Sequence, residues 1–262
     1  MTVAQKYALV TGASSGIGRH IAYELAMKGY PVIAVSNQPD QLARLKEELE
    51  QACGVTVHTL ETDLARDGAA REVFDRCESD GLEVEVLVNN AGMLVVREVV
   101  EVDYTRASAI LQLHVNTPAL LCRLFAEKMA ERKSGYILNV SSISAVMPYP
   151  IISLYGPSKA FLRSFTRALR TELKGRGINV TCLLPGATAT ALYDPYVVNL
   201  HLAMKLGVMK KPGTVARAGV RALFKGRAEC IPGALNKLTV FLLPLLPRMV
   251  IGWIYRGWSL KK

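Results

Sequence analysis

The feature that most constrains this chain is a short apolar run at residues 7–10. It passes directly into TGASSGIG at 11–18 and then into helical periodicity through Ile17, Ile21, Leu25 and Ala26, with Gly29 as the stop. A strand that feeds a helix in this way is expected to return as a second parallel strand, and residues 31–35 supply one. Gly12, Gly16 and Gly18 permit a tight turn and let a pyrophosphate approach the backbone, its charge resting at the helix N-terminus. Within the turn, Gly12, Ser14, Ser15, Gly16, Ile17 and Gly18 are the residues expected to contact a dinucleotide. The spacing is G-x-x-x-G-x-G, and in isolation an ordinary tight turn is the alternative.

The alternation continues along the chain. Residues 40–51, 65–78, 104–132 and 154–174 read as helices, and 55–60, 84–89, 136–140 and 178–184 as strands. The strands are short and largely apolar without regular polar alternation, the pattern of a sheet covered on both faces. The expected fold is α/β, a doubly wound parallel sheet of Rossmann type, with ligands beyond the carboxyl ends of the strands. Residues 191–212 are long and mixed in character and read as a substrate lid; a helix at 214–224 and a short strand near Cys230 follow. No repeat or Gly/Ser linker divides the chain. Residues 1–235 are therefore expected to form one dinucleotide-binding and catalytic domain, with residues 236–262 as a C-terminal extension.

Half of the 262 residues are hydrophobic and 21% are charged, which excludes collagen-like and disordered classes. The net charge of +10 is uneven: residues 204–262 carry twelve basic side chains and one acidic, a balance of +11, which leaves −1 for the rest. A basic tail predicts an anionic partner, and with no recognition motif beside it nucleic acid is not expected. The five cysteines are scattered with no C-x-x-C pair, so neither a metal site nor a disulfide framework is expected. Entry into a strand so near the N-terminus leaves no room for a signal peptide, and a cytoplasmic setting is expected.

Tyr155 and Lys159 lie four apart on an expected helix and so share a face, as would any surface i,i+4 pair. Their company changes the reading. The sequence resembles the short-chain dehydrogenase/reductase family along nearly its whole length. It has TGASSGIG at 11–18, Asp63 after the third strand, NNAG at 89–92 after the fourth, Asn116 in the long helix and Ser142 in NVSS after the fifth strand. Tyr155-x-x-x-Lys159 follows, then PGATAT at 185–190 after the sixth strand, all in the family's order.

The resemblance implies a catalytic tetrad of Asn116, Ser142, Tyr155 and Lys159. A free tyrosine has a pKa of about 10, and a nearby ammonium favours its phenolate; Lys159 is that ammonium and also holds the nicotinamide ribose. Ser142 would hydrogen-bond the reacting oxygen, and Asn116 would support a water that relays protons to Lys159. The resemblance also implies that Asp63 and Leu64 meet the adenine, and that Asn89, Ala91 and Gly92 meet the adenosine ribose. Tyr155 and Lys159 would meet the nicotinamide ribose, and Pro185, Gly186, Thr188 and Thr190 the nicotinamide amide and phosphates. The plainer alternatives are a helix cap at Asp63 and turn residues at Asn89 and Asn90.

Two departures from the family pattern matter. Gly156-Pro157 separates Tyr155 from Lys159, and proline is tolerated only in a first helical turn, so the helix is expected to begin near Tyr155. At the end of the second strand, where an acid would bind the ribose 2′-OH of NAD, this chain has Ser36 and Asn37. With no carboxylate to repel a phosphate, and with Arg19 and Arg44 as candidate partners, NADP(H) is favoured and NAD(H) is the alternative.

Residues 238–258 are largely apolar, but Pro244, Pro247 and Arg248 interrupt them and the longest uncharged stretch is ten residues. About 20 are needed to span a bilayer. Together with Arg248, Trp253, Arg256, Trp258, Lys261 and Lys262, the tail suits a peripheral position on an anionic membrane; a segment covering the core or a dimer interface is the alternative. Tails of this kind occur in family members that resemble lipid-ketone and 17-beta-hydroxysteroid reductases. The resulting expectation is a homodimeric or homotetrameric oxidoreductase that interconverts a ketone and a secondary alcohol, with a hydrophobic, lipid-like or steroid-like carbonyl as substrate. A 3-oxoacyl-carrier-protein reductase and a nucleotide-binding, membrane-attached scaffold are the alternatives.

Overall fold

The structure, a computed structural model, describes residues 5–147, 149–190 and 209–245. Seven strands form one sheet: β1 (Lys6–Thr11), β2 (Val32–Ser36), β3 (Val57–Glu61), β4 (Glu83–Asn89), β5 (Gly135–Val140), β6 (Ile178–Leu183) and β7 (Glu229–Cys230). Their order is β3-β2-β1-β4-β5-β6-β7 and every pairing is parallel. The chain winds outward from β1 to β3, then returns to the other side of β1 as β4. The winding reverses between β1 and β4, so the crevice lies beyond their carboxyl ends.

Successive strand side chains point to opposite faces, and here both faces are covered. Leu9, Ile33, Val35, Leu87, Ile137 and Val180 pack under α3 (Ala69–Ser79), α5 (Thr117–Glu131) and α6 (Tyr155–Leu173). Ala8, Val10, Ala34, Val86, Val88 and Leu138 pack under α1 (Gly16–Ala26), α2 (Pro39–Cys53) and a helix at Pro212–Phe224. This two-sided burial explains the mostly apolar strands, and the polar side chains buried within them, such as Asn89 and Asn139, are hydrogen-bonded. Arg163 of α6 makes a forked ion pair with Glu229 of β7, at 2.8 and 3.0 Å, and fixes α6 against the sheet edge.

Three differences from expectation bear on the site. The helix expected over 104–132 is divided into α4 (Tyr104–Leu111), a π turn at Gln112–Asn116, and α5. Pro118 has no N–H to donate to the carbonyl of residue 114, so the α ladder is interrupted at this point and widens by one residue. Numbering onward, α7 (Pro212–Phe224) begins two residues earlier than expected, and α8 (Ala234–Leu242) is a helix where only an extension was expected. The α6 helix does begin at Tyr155, with Pro157 in its first turn.

Lid residues 191–208 lie outside the described residues, as do tail residues 246–262 with Arg248, Trp253, Arg256, Trp258, Lys261 and Lys262. Of the lid's described residues, Met209 is buried and Lys210 forms a parallel bridge with Thr188. Among the described residues, no helix is long and apolar enough to cross a membrane.

Candidate active site

The carboxyl ends of the strands open on a groove of about 610 Å³, which runs from Ser36, Asn37 and Gln41 to Ser142, Tyr155 and Lys159. Its floor is the glycine turn. Gly12 and Gly16 have φ of 62° and 55°, which other residues adopt only with strain. A Cβ on Gly12 would lie 2.9 Å from the Ala91 Cα, and one on Gly18 would lie 2.2 Å from the Gly12 carbonyl oxygen. Gly18 therefore serves the packing of α1 onto the turn, whereas Gly12, Ser14, Ser15, Gly16 and Ile17 line the groove. Ser15 at the start of α1 makes no side-chain cap, so the first N–H groups of the helix face the groove uncapped. That cradle of backbone donors at a helix N-terminus fits a pyrophosphate.

Thr11 and Asn90 hold this floor in place, and neither is among the residues expected to contact the dinucleotide. The Thr11 hydroxyl accepts from the N–H groups of Asn90 (2.9 Å) and Ala91 (3.1 Å) and donates to the Val88 carbonyl (3.2 Å). The Asn90 amide donates to the carbonyls of Thr11 (3.0 Å) and Gly12 (3.2 Å). Each belongs to a motif quoted from the sequence, and that membership is the sequence signal for it.

At the adenine end, Asp63 and Leu64 line the groove, with Asp63 Oδ1 accepting from the Ala65 N–H at 3.0 Å. The Ser36 hydroxyl donates to Ser14 Oγ at 2.9 Å, tying β2 to the glycine turn. Arg19 and Arg44 require correction as phosphate partners: neither lines the groove. Arg19 is ion-paired to Glu48, which also accepts from the Tyr23 hydroxyl at 2.5 Å, and Arg44 is exposed on α2. Among the described residues, Arg106 of α4 is the arginine that lines the groove. Asn89 is a second correction. As the last residue of β4 it points into the sheet, donating to Asn139 Oδ1 at 2.8 Å and the Pro118 carbonyl at 3.4 Å, and it does not line the groove.

Ala91, Gly92, Pro185, Gly186, Thr188 and Thr190 line the same groove as Ser142, Tyr155 and Lys159, with Ala91 against Gly12, Thr190 against Gly16 and Gly92 against Lys159. Ser142 Oγ accepts from the Ser144 N–H at 3.1 Å, which leaves its hydroxyl proton for a ligand oxygen in the groove. Lys159 is 4% exposed; its Nζ donates to the Val140 carbonyl at 3.1 Å and lies 5.7 Å from the Tyr155 ring centroid. Burial lowers its pKa to about 8, so the ammonium gives up its proton more readily than an ordinary lysine.

The structure does not bring the Asn116 side chain to these three. It is exposed and donates to Gln112 Oε1 at 2.7 Å, outside the groove. The π turn shifts the register, and His114 is the residue of this turn that faces Lys159 and Tyr155. Its ring is buried, with the centroid 5.5 Å from that of Tyr155.

A family model described as short chain dehydrogenase matches residues 6–198. An uncharacterized oxidoreductase of Myxococcus xanthus is 32% identical over 237 residues, covering 87% of this chain and 93% of the relative. The 17-beta-hydroxysteroid dehydrogenase type 3 of Rattus norvegicus is 33% identical over 193 residues, covering 71% of this chain and 61% of the relative. The very-long-chain 3-oxoacyl-CoA reductase of Mus musculus is 32% identical over 194 residues, again covering 71% of this chain and 61% of the relative. The chain thus spans about three fifths of the length of these last two. Among solved structures, a short-chain dehydrogenase from Sphingobium yanoikuyae in complex with NADPH superposes with a TM-score of 0.80 at 26% identity, covering 93% of this chain and 97% of that one.

Proposed function

The chain belongs to the short chain dehydrogenase family, and we propose that it is an oxidoreductase that reduces a hydrophobic ketone to a secondary alcohol with NADP(H). The observation that carries this reading is the convergence of Ser142, Tyr155 and Lys159 at one end of the groove whose floor is the uncapped α1 N-terminus. When bound, the nicotinamide would supply the hydride. Tyr155 gives its phenolic proton to the substrate oxygen, and Ser142 donates a hydrogen bond to that oxygen as charge develops on it. Lys159, an ammonium in a dry setting, stabilises the phenolate left behind. Gly12, Gly16 and the α1 N–H groups would hold the pyrophosphate, with Thr190 beside Gly16, while Pro185, Gly186 and Thr188 would bound the nicotinamide end.

The preference for NADP(H) rests on the absence of an acid at Ser36 and Asn37, both of which line the groove. The Sphingobium relative with NADPH bound supports it. A hydrophobic substrate is supported by the relatives named for 17-beta-hydroxysteroid and very-long-chain 3-oxoacyl-CoA chemistry.

The α8 helix supports the same reading and a peripheral membrane position. Its Asn236 packs against Gly186, where a Cβ would lie 2.4 Å from Asn236 Oδ1, while Leu235, Leu238 and Phe241 are 57%, 53% and 72% exposed. An apolar face beside the nicotinamide end, in the basic last quarter of the chain, suits an anionic lipid surface. The basic balance also favours a second reading, reduction of a 3-oxoacyl group on an acidic carrier. A homodimer or homotetramer is proposed, with Tyr104, Leu111, Leu120 and Phe161 as the exposed apolar side chains on α4 to α6 that it would cover.

The test is oxidation of NADPH and NADH against ketones of graded chain length, free and carrier-bound. Turnover that rises with apolar length and favours NADPH is expected; no ketone-dependent oxidation with any of them would sink the proposal.

A further inference from the structure

We infer that His114 is a positioning residue: it joins the loop after β4 to the first turn of α6 and sets how Tyr155 and Lys159 meet. The inference rests on the reading of Tyr155 and Lys159 given above. His114 does not line the groove and touches no reacting atom in that reading, so any effect it has must pass through those two side chains.

The hydrogen bonds around His114 admit one arrangement. Its Nε2 lies 3.0 Å from the backbone nitrogen of Met93, an N–H that can only donate, so Nε2 is the acceptor. Its Nδ1 lies 3.0 Å from Ser158 Oγ, and the Ser158 hydroxyl donates to the Tyr155 carbonyl at 2.8 Å. A serine has a single hydroxyl proton, and here it is spent on Tyr155. Nδ1 must therefore carry the imidazole proton and donate to Ser158. The result is a chain of one polarity, from the Met93 N–H through the imidazole and the Ser158 hydroxyl to the backbone of Tyr155.

A second proton on this ring would break the Met93 bond and place a cation beside Lys159. Burial, reinforced by the Lys159 charge, holds the His114 pKa well below its ordinary value, in agreement with the bonding. The titratable groups facing it are Tyr155, whose ring meets it edge-on at 76°, and Lys159, both from α6. The loop after β4 contributes backbone only: a Cβ on Gly92 would lie 3.0 Å from His114 Nε2 and 3.5 Å from Lys159 Nζ. Of the residues lining the small cavity beside the ring, Lys159 is the only other one with an ionisable side chain.

Four measurements test this. In the cofactor-free protein, ring-nitrogen NMR of histidine should show His114 neutral with its proton on Nδ1 from about pH 5.5 to 8.5, the signal being identified by its loss in His114→Asn. Titration near the ordinary value, or a proton on Nε2, would overturn the inference. His114→Phe keeps a ring against Tyr155 but loses both hydrogen bonds. It should lower kcat about ten- to a hundredfold, leave cofactor Kd within about threefold, and raise the pH at which alcohol oxidation sets in. His114→Asn, whose amide can still donate to Ser158, should recover part of kcat. Should His114→Phe not fold, Ser158→Ala breaks the same chain and should give the same split between kcat and Kd. Wild-type kcat and pH profile in these variants, while Tyr155→Phe is inactive, would reject the role of His114 alone. An active Tyr155→Phe would reject the reading on which it rests.

Discussion

Replacing Lys159 with methionine is expected to stabilise the cofactor-free fold while abolishing turnover. The ammonium is 4% exposed and has the Val140 carbonyl, at 3.1 Å, as its hydrogen-bond acceptor among the described residues. Burial lowers its pKa to about 8, against about 10.4 for a free lysine. At about 1.4 kcal/mol per pKa unit, holding the charge in the folded state at pH 7 costs on the order of 3 kcal/mol. The folded value lies below the unfolded one, so the unfolded chain binds this proton more tightly. Stability from this group is therefore lowest below about pH 8 and rises as the pH climbs towards about 10. Methionine has similar length and no charge, but it forfeits the Val140 hydrogen bond, worth about 1 kcal/mol. The net gain is about 2 kcal/mol at pH 7, or roughly 4 to 8 °C in Tm for a chain of this size. Near pH 10 the gain should vanish or change sign, because the wild-type lysine is then neutral and keeps its bond. Urea or thermal melts at the two pH values measure this. A variant less stable than wild type at pH 7, or equally stabilised at both, would show that the ammonium is not held against a burial penalty.

Gly18→Ala should destabilise the fold by about 1 to 3 kcal/mol and weaken cofactor binding, because the new methyl would sit 2.2 Å from the Gly12 carbonyl and 2.3 Å from the Asn90 amide nitrogen; a melt and a cofactor titration check both effects. Ser36→Asp should move the ratio of kcat/KM values towards NADH by setting a carboxylate where the 2′-phosphate is proposed to lie; a ratio that stays put or moves towards NADPH would place the phosphate elsewhere. Deleting residues 246–262 should reduce binding to anionic vesicles while preserving reduction of a small soluble ketone, and binding of the intact chain should fall with salt. Vesicle binding that ignores lipid charge and salt would instead favour a tail packed on protein.

Much of the fold can be read from the sequence because burial on both faces writes itself as mostly apolar strands, and Gly156-Pro157 marks the start of α6 by a backbone rule. The site is less legible where side chains choose partners. Arg19 carries the charge a phosphate needs, yet Glu48, on another helix, takes it, and no local pattern reports that pairing. Asn89 and Asn90 are adjacent in the sequence but face opposite ways, since the strand period turns the first into the sheet and leaves the second to hold the glycine turn. The π turn hid the most. A 3.6-residue period runs smoothly through residues 104–132, and Pro118 is the only local signal that it breaks; the break turns His114 inward and Asn116 outward. The α8 helix was obscured because its apolar residues run on into an apolar tail, and only Gly233, with a φ of 95°, marks its beginning.

The central claim is that Tyr155 supplies the proton for reduction of a ketone carbonyl. Its most direct test is single-turnover oxidation of NADPH by wild type and by Tyr155→Phe, with a ketone accepted by the wild type and with NADPH affinity measured on both. The account predicts unchanged affinity and a loss of at least about a hundredfold in the rate of the chemical step. A Tyr155→Phe variant that binds NADPH and turns over within about tenfold of wild type would contradict it.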